Sequence, residues 1–317
     1  MYHNILQRFP GENRSFFEYV AGREMYINEI RLRCEKPVLV IENGKEWFLD
    51  RHGFYTEQLA EAVILKQMDL DRILQHVCHY SLYAYEEELR QGYITVAGGH
   101  RIGMVGQVVM ENKGQIRTIK HIRGMNIRVS HQVKGVAEPV LKHLYCKGRI
   151  RNTLIVSPPG CGKTTLLRDL IRSISDGNAY AKGMTVGVVD ERSEIAGSFM
   201  GQPQNDVGIR TDVLDACPKA LGMMLLLRSM SPKVIAVDEL GGDEEFAAVR
   251  TILSCGSSVL ATMHGNCLED IRRRRGMAEL LLQGCFDLIM VLGKHREKCV
   301  IEGIYQETES GDWKCIE

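Results

Sequence analysis

In its first part the chain places apolar residues in short runs bounded by turn formers, and in its second part such runs alternate with longer helical patterns. Residues 25–49, MYINEIRLRCEKPVLVIENGKEWFL, break at Lys36-Pro37 and at Asn43-Gly44. An Asn-Gly pair between β-rich runs suits a two-residue hairpin turn, whose central positions both need positive φ, so a small antiparallel sheet is expected. From Leu70 to Arg90 the apolar positions Ile73, Leu74, Val77, Leu82, Tyr85 and Leu89 return at three- and four-residue steps. This spacing predicts one amphipathic helix, with a candidate break at Tyr80-Ser81. YITVAGGHRIGMVGQVVM then reads as two strands and IRTIKHIRGMNIRVSH as a third, giving a mixed α+β region to about residue 133.

A helical stretch over 136–146 leads out of that region, and the rhythm changes. NTLIVS, a Gly-rich loop, TTLLRDLIRSI, TVGVVD, a helix from about 214 to 230, KVIAVD, a helix from about 244 to 254 and SSVLATM follow in turn. Short apolar strands alternating with helices imply crossover connections and a parallel sheet. The expected organisation is a mixed α+β N-terminal domain over 1–135, a connecting helix over 136–146 and an α/β domain over 147–317. No repeat occurs at a fixed period.

Composition narrows the function classes. A length of 317 residues suits about two domains, and 44% apolar with 25% charged residues is the balance of an ordinary globular chain. Lys plus Arg and Asp plus Glu stand at 40 each, so no global field favours nucleic acid or an anionic membrane. The basic run Arg272 to Arg275 is expected to be a solvated helix face with no catalytic role. The ten cysteines show no C-x-x-C and no zinc spacing, and read as reduced thiols. No apolar run approaches the roughly 18 residues of a spanning helix, and MYHNILQRFPGENRSF lacks the apolar core of a secretion signal. A soluble chain that docks on a membrane only through a partner is expected.

Residues 157–165, SPPGCGKTT, carry the first chemistry. A phosphate-cradling loop follows G-x-x-x-x-G-K-[ST], and here Ser157 stands where that pattern begins with glycine. Context decides the matter, because such a loop must leave a strand and open a helix whose first N–H groups form the anion site. Leu154, Ile155 and Val156 supply the strand, and Leu166, Leu167, Leu170 and Ile171 supply the buried stripe of the helix. Serine at the strand exit costs little unless φ is positive. The expected ATP cradle is Ser157, Pro158, Pro159, Gly160, Cys161, Gly162, Lys163, Thr164 and Thr165. Within it Lys163 holds the β and γ phosphates, Thr164 ligates Mg²⁺, and the amides of 160–165 wrap the β phosphate.

VIAVDEL, 234–240, is a buried strand emptying into two acids, which ATP hydrolysis needs: Asp238 to hold the metal and Glu239 to orient or deprotonate the attacking water. VGVVDERSEI, 186–195, empties into Asp190, Glu191 and Glu194, and LATMHGN, 260–266, into Thr262, His264 and Asn266. Ligands of open parallel sheets bind at the carboxyl ends of the strands, so four strand ends are expected to converge on one site.

Together SPPGCGKTT, VVDERSEIAG, IRTDVLDACPKA, LLLRSMSP, VIAVDELGG and ATMHGN resemble the stage III sporulation AA family. That family is a branch of the secretion ATPase superfamily, which includes type IV secretion traffic ATPases and pilus-retraction motors. The resemblance covers most of the chain and is densest from 152 to 270. It implies a C-terminal RecA-like P-loop ATPase domain, nucleotide bound between it and the N-terminal domain, and a homo-oligomer, a ring-shaped hexamer. It identifies Asp190 to Glu194, with Glu191 as a catalytic candidate, as the Asp box, and the segment around His264 as the His box. Two departures stand out. Ser157 replaces the first glycine, and Asp238-Glu239 replaces the Gly-Glu usual in the traffic ATPases, so the metal shell is expected to be organised differently.

Such motors complete the site with arginines from the N-terminal domain, for which Arg101 in GGHRIG and Arg128 in NIRVS are the candidates, with Arg192 and Arg210 as alternatives. The implied biology is ATP- and Mg²⁺-dependent powering or assembly of a sporulation channel between mother cell and forespore, with membrane proteins of that channel as partners. The implied location is the cytoplasmic, mother-cell face of the membrane. Two alternatives stay open. A low-turnover nucleotide-dependent scaffold would not need Glu239, and a RecA-like nucleic-acid motor lacks a basic face and spaced aromatics in this chain.

Overall fold

In the computed structural model, which describes residues 11–317 apart from 79–84, 112–113, 115, 147, 296–298 and 309, the chain divides into two compact units. One is built from the chain up to His131 together with 197–204, the other from 132–196 and 205–317.

The first unit opens with α1 (Gly11–Ala21) and continues through β1 (Ile27–Arg33), β2 (Leu39–Glu42), β3 (Lys45–Leu49) and β4 (Tyr55–Thr56). Asn43 (φ 48) and Gly44 (φ 80) form the left-handed pair that turns β2 into β3, setting Glu42 opposite Lys45. α2 (Gln67–Val77), α3 (Glu86–Arg90), β5 (Tyr93–Val96), β6 (His100–Met110) and β7 (Ile116–Arg128) complete it. The strands form one sheet in the order β4-β3-β2-β1-β7-β6-β5. Leu70, Ile73, Leu74 and Val77 of α2 join Ile30, Leu32 and Val40 in its core.

The single helix expected over 70–90 is two helices. Cys78 leaves the helical region with ψ 13 and closes α2; the Tyr80-Ser81 break lies outside the described residues. Residues 197–204 return to this unit, where Phe199 packs on the core and the Gln204 side-chain oxygen accepts the Gly98 N–H at 2.9 Å.

The second unit begins with α4 (Glu138–Leu144), the small hairpin β8 (Tyr145–Cys146) and β9 (Arg149–Ile150), then β10 (Thr153–Ser157) and α5 (Lys163–Asp176). A second hairpin, β11 (Gly177–Asn178) and β12 (Ala181–Lys182), precedes β13 (Val186–Asp190), β14 (Thr211–Asp215), α6 (Lys219–Ser229), β15 (Val234–Val237), α7 (Asp243–Ser254) and β16 (Ser258–His264). α8 (Leu268–Arg272), α9 (Arg275–Leu282), β17 (Leu288–Leu292), β18 (Ile301–Glu307) and β19 (Trp313–Cys315) close the chain. The sheet runs β14-β13-β15-β16-β10-β17-β18-β19, parallel up to β17 and antiparallel beyond.

Alternation along the central strands builds two cores. Ile155, Val188, Ala236 and Leu260 face one way with Leu166, Leu170 and Ile174 of α5. Leu154, Val156, Val237, Ala261 and Met263 face the other way with residues of α6, α7 and α9. This is a sheet sandwiched by helices, each fully buried aliphatic side chain contributing roughly 1.5–3 kcal/mol.

Three expectations change. Residues 214–215 close strand β14 rather than open a helix: Pro218 disfavours helical backbone at Cys217, so α6 starts only at Lys219. The antiparallel edge β17 to β19 had no counterpart in the reading of the pattern. Arg272 to Arg275 are exposed, as expected, but they span the last residue of α8, a turn at 273 and 274 and the first residue of α9 rather than one helix face.

Candidate functional site

β10 ends at Ser157, which lies in parallel register with His264 at the end of β16. Ser157 is fully buried, keeps a negative φ, and donates its hydroxyl to the Pro158 carbonyl at 2.8 Å. The missing first glycine therefore carries no backbone penalty. Gly160 (φ 81) and Gly162 (φ 99) do need their freedom, and Gly162 caps α5, so the loop's amides lead into a helix N-terminus. Lys163 follows as the first residue of α5, buried.

The loop meets the acids of β15 directly. Thr164 Oγ1 donates to Asp238 Oδ2 at 2.6 Å, and Thr262 Oγ1 of β16 donates to Asp238 Oδ1. Burial pushes the Asp238 carboxyl above the usual carboxylate range, against the two hydroxyl bonds that favour its anion. Glu239 follows at φ 56, left-handed for a non-glycine residue, with its N–H donated to Thr262 Oγ1 at 2.9 Å. Its backbone carbonyl accepts Lys219 Nζ at 2.6 Å.

The Glu239 carboxylate lies 2.8 Å from His264 Nε2, and His264 Nδ1 lies 3.0 Å from Lys163 Nζ. An ammonium can only donate, so Nδ1 accepts and the ring carries its proton on Nε2, which Glu239 accepts. Lys163, His264 and Glu239 thus form one hydrogen-bonded chain. Arg192 sits 3.5 Å from the other Glu239 oxygen, and Glu191 sits 3.4 Å from Lys219 Nζ. Glu191, Arg192, Lys219, Asp238 and Glu239 line a cleft with Val189, Asp190 and Glu194.

Asp190 plays a different part. Its carboxylate accepts the N–H groups of Glu194 (2.7 Å), Ile195 (3.2 Å) and Ala196 (2.8 Å), tying the turn after β13 shut. Burial outweighs those bonds and raises its pKa to about 6. Arg168 of α5 fastens the same turn by donating to the carbonyls of Ile195 (2.5 Å) and Glu194 (2.6 Å). Asp190 is therefore consumed in shaping the turn, whereas Glu191 and Arg192 face the cleft.

Arg101 and Arg128 are cross-strand partners on β6 and β7 of the first unit; Arg101 stacks on Tyr93 at 3.9 Å, and Arg128 lies 3.9 Å from Glu29. Arg210 donates to the Ser175 carbonyl at 2.8 Å, at the far end of α5 and about 18 Å along it from Lys163. Asn266, just ahead of the Cys267 cap of α8, donates its side-chain amide to Asp270 at 2.8 Å. Reading by strand ends did not single out Lys219 or Arg168 and gave Thr262 no role. A lysine directly after proline at a helix start, where the dipole disfavours a cation, was the one available signal for Lys219.

The donor set suits Mg²⁺ with a nucleotide: Thr164 Oγ1 and Asp238 are hard oxygens beside the loop that would hold phosphates. No cluster of three or more metal-ligating His, Cys, Asp or Glu side chains occurs among the described residues. No helix among the described residues is long and apolar enough to cross a membrane, and the ten cysteines form no disulfide.

The family described as sporulation stage III, protein AA matches residues 3–311. The chain is 42% identical over 281 residues to stage III sporulation protein AA of Bacillus subtilis (strain 168), across 89% of this chain and 87% of that one. Among solved structures it is similar to the Legionella pneumophila ATPase DotB, with a TM-score of 0.57 and 16% identity over 88% of this chain and 75% of that one. It is also similar to the pilus retraction motor PilT with bound ADP, with a TM-score of 0.59 and 16% identity over 87% of this chain and 77% of that one. Identity this low carries the fold alone: the second unit has the RecA-like P-loop fold of secretion ATPases.

Proposed function

Because the chain belongs to the sporulation stage III protein AA family, and its strand ends gather a phosphate loop with two acids, we propose that it is a Mg²⁺-dependent ATP hydrolase of the secretion type. The observation that carries this reading is the 2.6 Å bond from Thr164 to Asp238, which brings the loop and the strand-end acid to ligating distance of one another. In this reading the amides of 160–165 and Lys163 bind the phosphates, Thr164 and Asp238 hold Mg²⁺, and Glu239 orients or deprotonates the attacking water. The metal supplies charge neutralisation of the phosphates when bound. His264 joins Lys163 to Glu239 and orients its carboxylate. Arg192 beside Glu239, and Arg101 or Arg128, are the candidates for stabilising charge on the transferring phosphoryl group.

The wider proposal is a homohexameric motor on the cytoplasmic face of the mother-cell membrane that powers or assembles the channel to the forespore, with membrane proteins of that channel as partners. Family membership and the secretion-ATPase fold support it. The test is steady-state ATP hydrolysis against protein concentration for the natural chain and Glu239→Gln. Turnover per subunit that rises with concentration, with a Glu239→Gln protein that binds ATP but does not hydrolyse it, is the expected result. The contacts of Glu239 with His264 and Arg192 favour one second reading, a low-turnover switch. Near-zero turnover at every concentration, with ATP binding intact, would favour it over the motor.

A further inference from the structure

We propose that Lys219 is a positioning residue that holds Glu239 in its left-handed conformation and ties three strand and helix ends around it. Its kinetic consequence rests on the hydrolase reading above; its structural consequence does not.

Lys219 is the first residue of α6, and its side chain is only 12% exposed. Both facts run against a lysine. A helix N-terminus carries partial positive charge, and a nearly buried ammonium loses most of its water. Three acceptors from three separate elements compensate, matching its three donors. Nζ donates to the Glu239 carbonyl at 2.6 Å, and lies 3.4 Å from Glu191 Oε2 after β13 and 3.3 Å from Glu245 Oε1 in the first turn of α7. Glu245 in turn accepts the N–H groups of Gly241 (2.8 Å) and Gly242 (3.3 Å) with its other oxygen, so the loop from 239 to 242 is tied at both ends to Lys219.

The loop needs that tie. A left-handed backbone at glutamate, here φ 56, is sterically disfavoured and persists only where surrounding bonds hold it. Thr262 holds the Glu239 N–H, and Lys219 holds its C=O. Without the second bond the residue would relax toward right-handed φ, and its carboxylate would swing away from His264. Lys219 acts through the backbone of Glu239, whose carbonyl it holds.

The experiment compares the natural chain with Lys219→Met, which keeps length and removes the donors. Hydrogen–deuterium exchange over 237–245, nucleotide affinity from titration with a fluorescent ATP analogue, and steady-state turnover are all measured. Expected are exchange over 237–245 several-fold faster with the α5 peptides unchanged, affinity within about twofold, and turnover reduced roughly ten- to a hundredfold. Unchanged exchange over 237–245 overturns the proposal, as does affinity falling in parallel with turnover. If the natural chain hydrolyses no ATP, the hydrolase reading fails while the exchange result still decides the role of Lys219. Where Lys219→Met melts below the assay temperature, Lys219→Gln, shorter and uncharged, is put through the same three measurements.

Discussion

Lys163 donates to His264 Nδ1 at 3.0 Å, so the lysine of the phosphate loop is already engaged by the residue that also holds Glu239. A phosphate arriving at the loop competes for that lysine, because an anion is a far stronger acceptor for an ammonium than a neutral imidazole. Once Lys163 turned to phosphate, Nδ1 would lose its donor and the ring would keep Glu239 as its partner. Under the hydrolase reading His264 would then orient the carboxylate that activates the attacking water. One histidine would thereby link Glu239 to occupancy of the loop.

This relationship predicts that His264→Ala separates binding from turnover. Lys163 no longer has to leave a partner, so affinity for an ATP analogue should hold or tighten by up to about threefold. Turnover should fall about tenfold or more, since Glu239 loses its orienting partner. Titration and steady-state assay on the same preparation decide it. Equal losses in affinity and turnover would mean that His264 serves only to shape the loop.

Thr262 is fully buried, and its one hydroxyl donates to Asp238 and accepts the N–H of Glu239. Thr262→Val keeps the shape and leaves both groups without that partner. Each such buried orphan costs about 1–3 kcal/mol, so denaturant unfolding should show a loss of about 2 kcal/mol or more. Thr262→Ser, which keeps the hydroxyl, should recover most of it. A Thr262→Val protein as stable as the natural one would show that the hydroxyl does not hold the two acids in place.

Much of this architecture was legible because local chemistry and global fold agree at particular residues. Asn43-Gly44 could only turn a hairpin, and the stripe of Leu166, Leu167, Leu170 and Ile171 could only belong to a buried helix after the glycine-rich loop. The failures have equally local causes. Residues 214–215 run straight into the apolar stretch of α6, and only the restriction that Pro218 places on Cys217 separates strand from helix. Strand ends pointed to Asp190 as a site acid, but the three backbone N–H groups that consume its carboxylate come from the turn's shape, which no spacing encodes. Lys219 escaped for a similar reason, since its acceptors come from Glu191 on one side and from 239–245 on the other, each about twenty or more residues away in sequence.

Arg101 and Arg128 face each other across β6 and β7, and like charges directly opposite on a sheet destabilise it. Arg128 is 65% exposed on its side chain and only 3.9 Å from its nearest acid, Glu29, so Arg128→Ala should change stability by no more than about 0.5 kcal/mol. Under the hydrolase reading an arginine acting on the transition state contributes a factor of about a thousand or more to turnover, and little to affinity. Melting midpoint, analogue titration and turnover for Arg101→Ala and Arg128→Ala are the readouts. If both proteins turn over normally, neither arginine serves the reaction.

The last prediction concerns pH and Asp190, whose pKa rises from the ordinary 3.8 to about 6 because burial disfavours its charge more than three N–H bonds favour it. Between those two values the folded chain binds a proton there that the unfolded chain has released. Stability contributed by this group is therefore greatest below about pH 4, falls as pH rises toward 6, and is flat above it. The shift corresponds to a fall of about 3 kcal/mol across that window. Asp190→Asn cannot titrate, so subtracting its unfolding free energy from that of the natural chain cancels most other ionisations. The difference should move against the natural chain from pH 4.5 to 6.5 and stay constant from pH 7 to 8. Asparagine also replaces one acceptor oxygen with a donor, so the Ala196 N–H loses its partner, which adds a loss independent of pH. A difference that shifts in favour of the natural chain as pH rises would show that the three N–H bonds outweigh burial, making Asp190 an anion stabilised by the turn it closes.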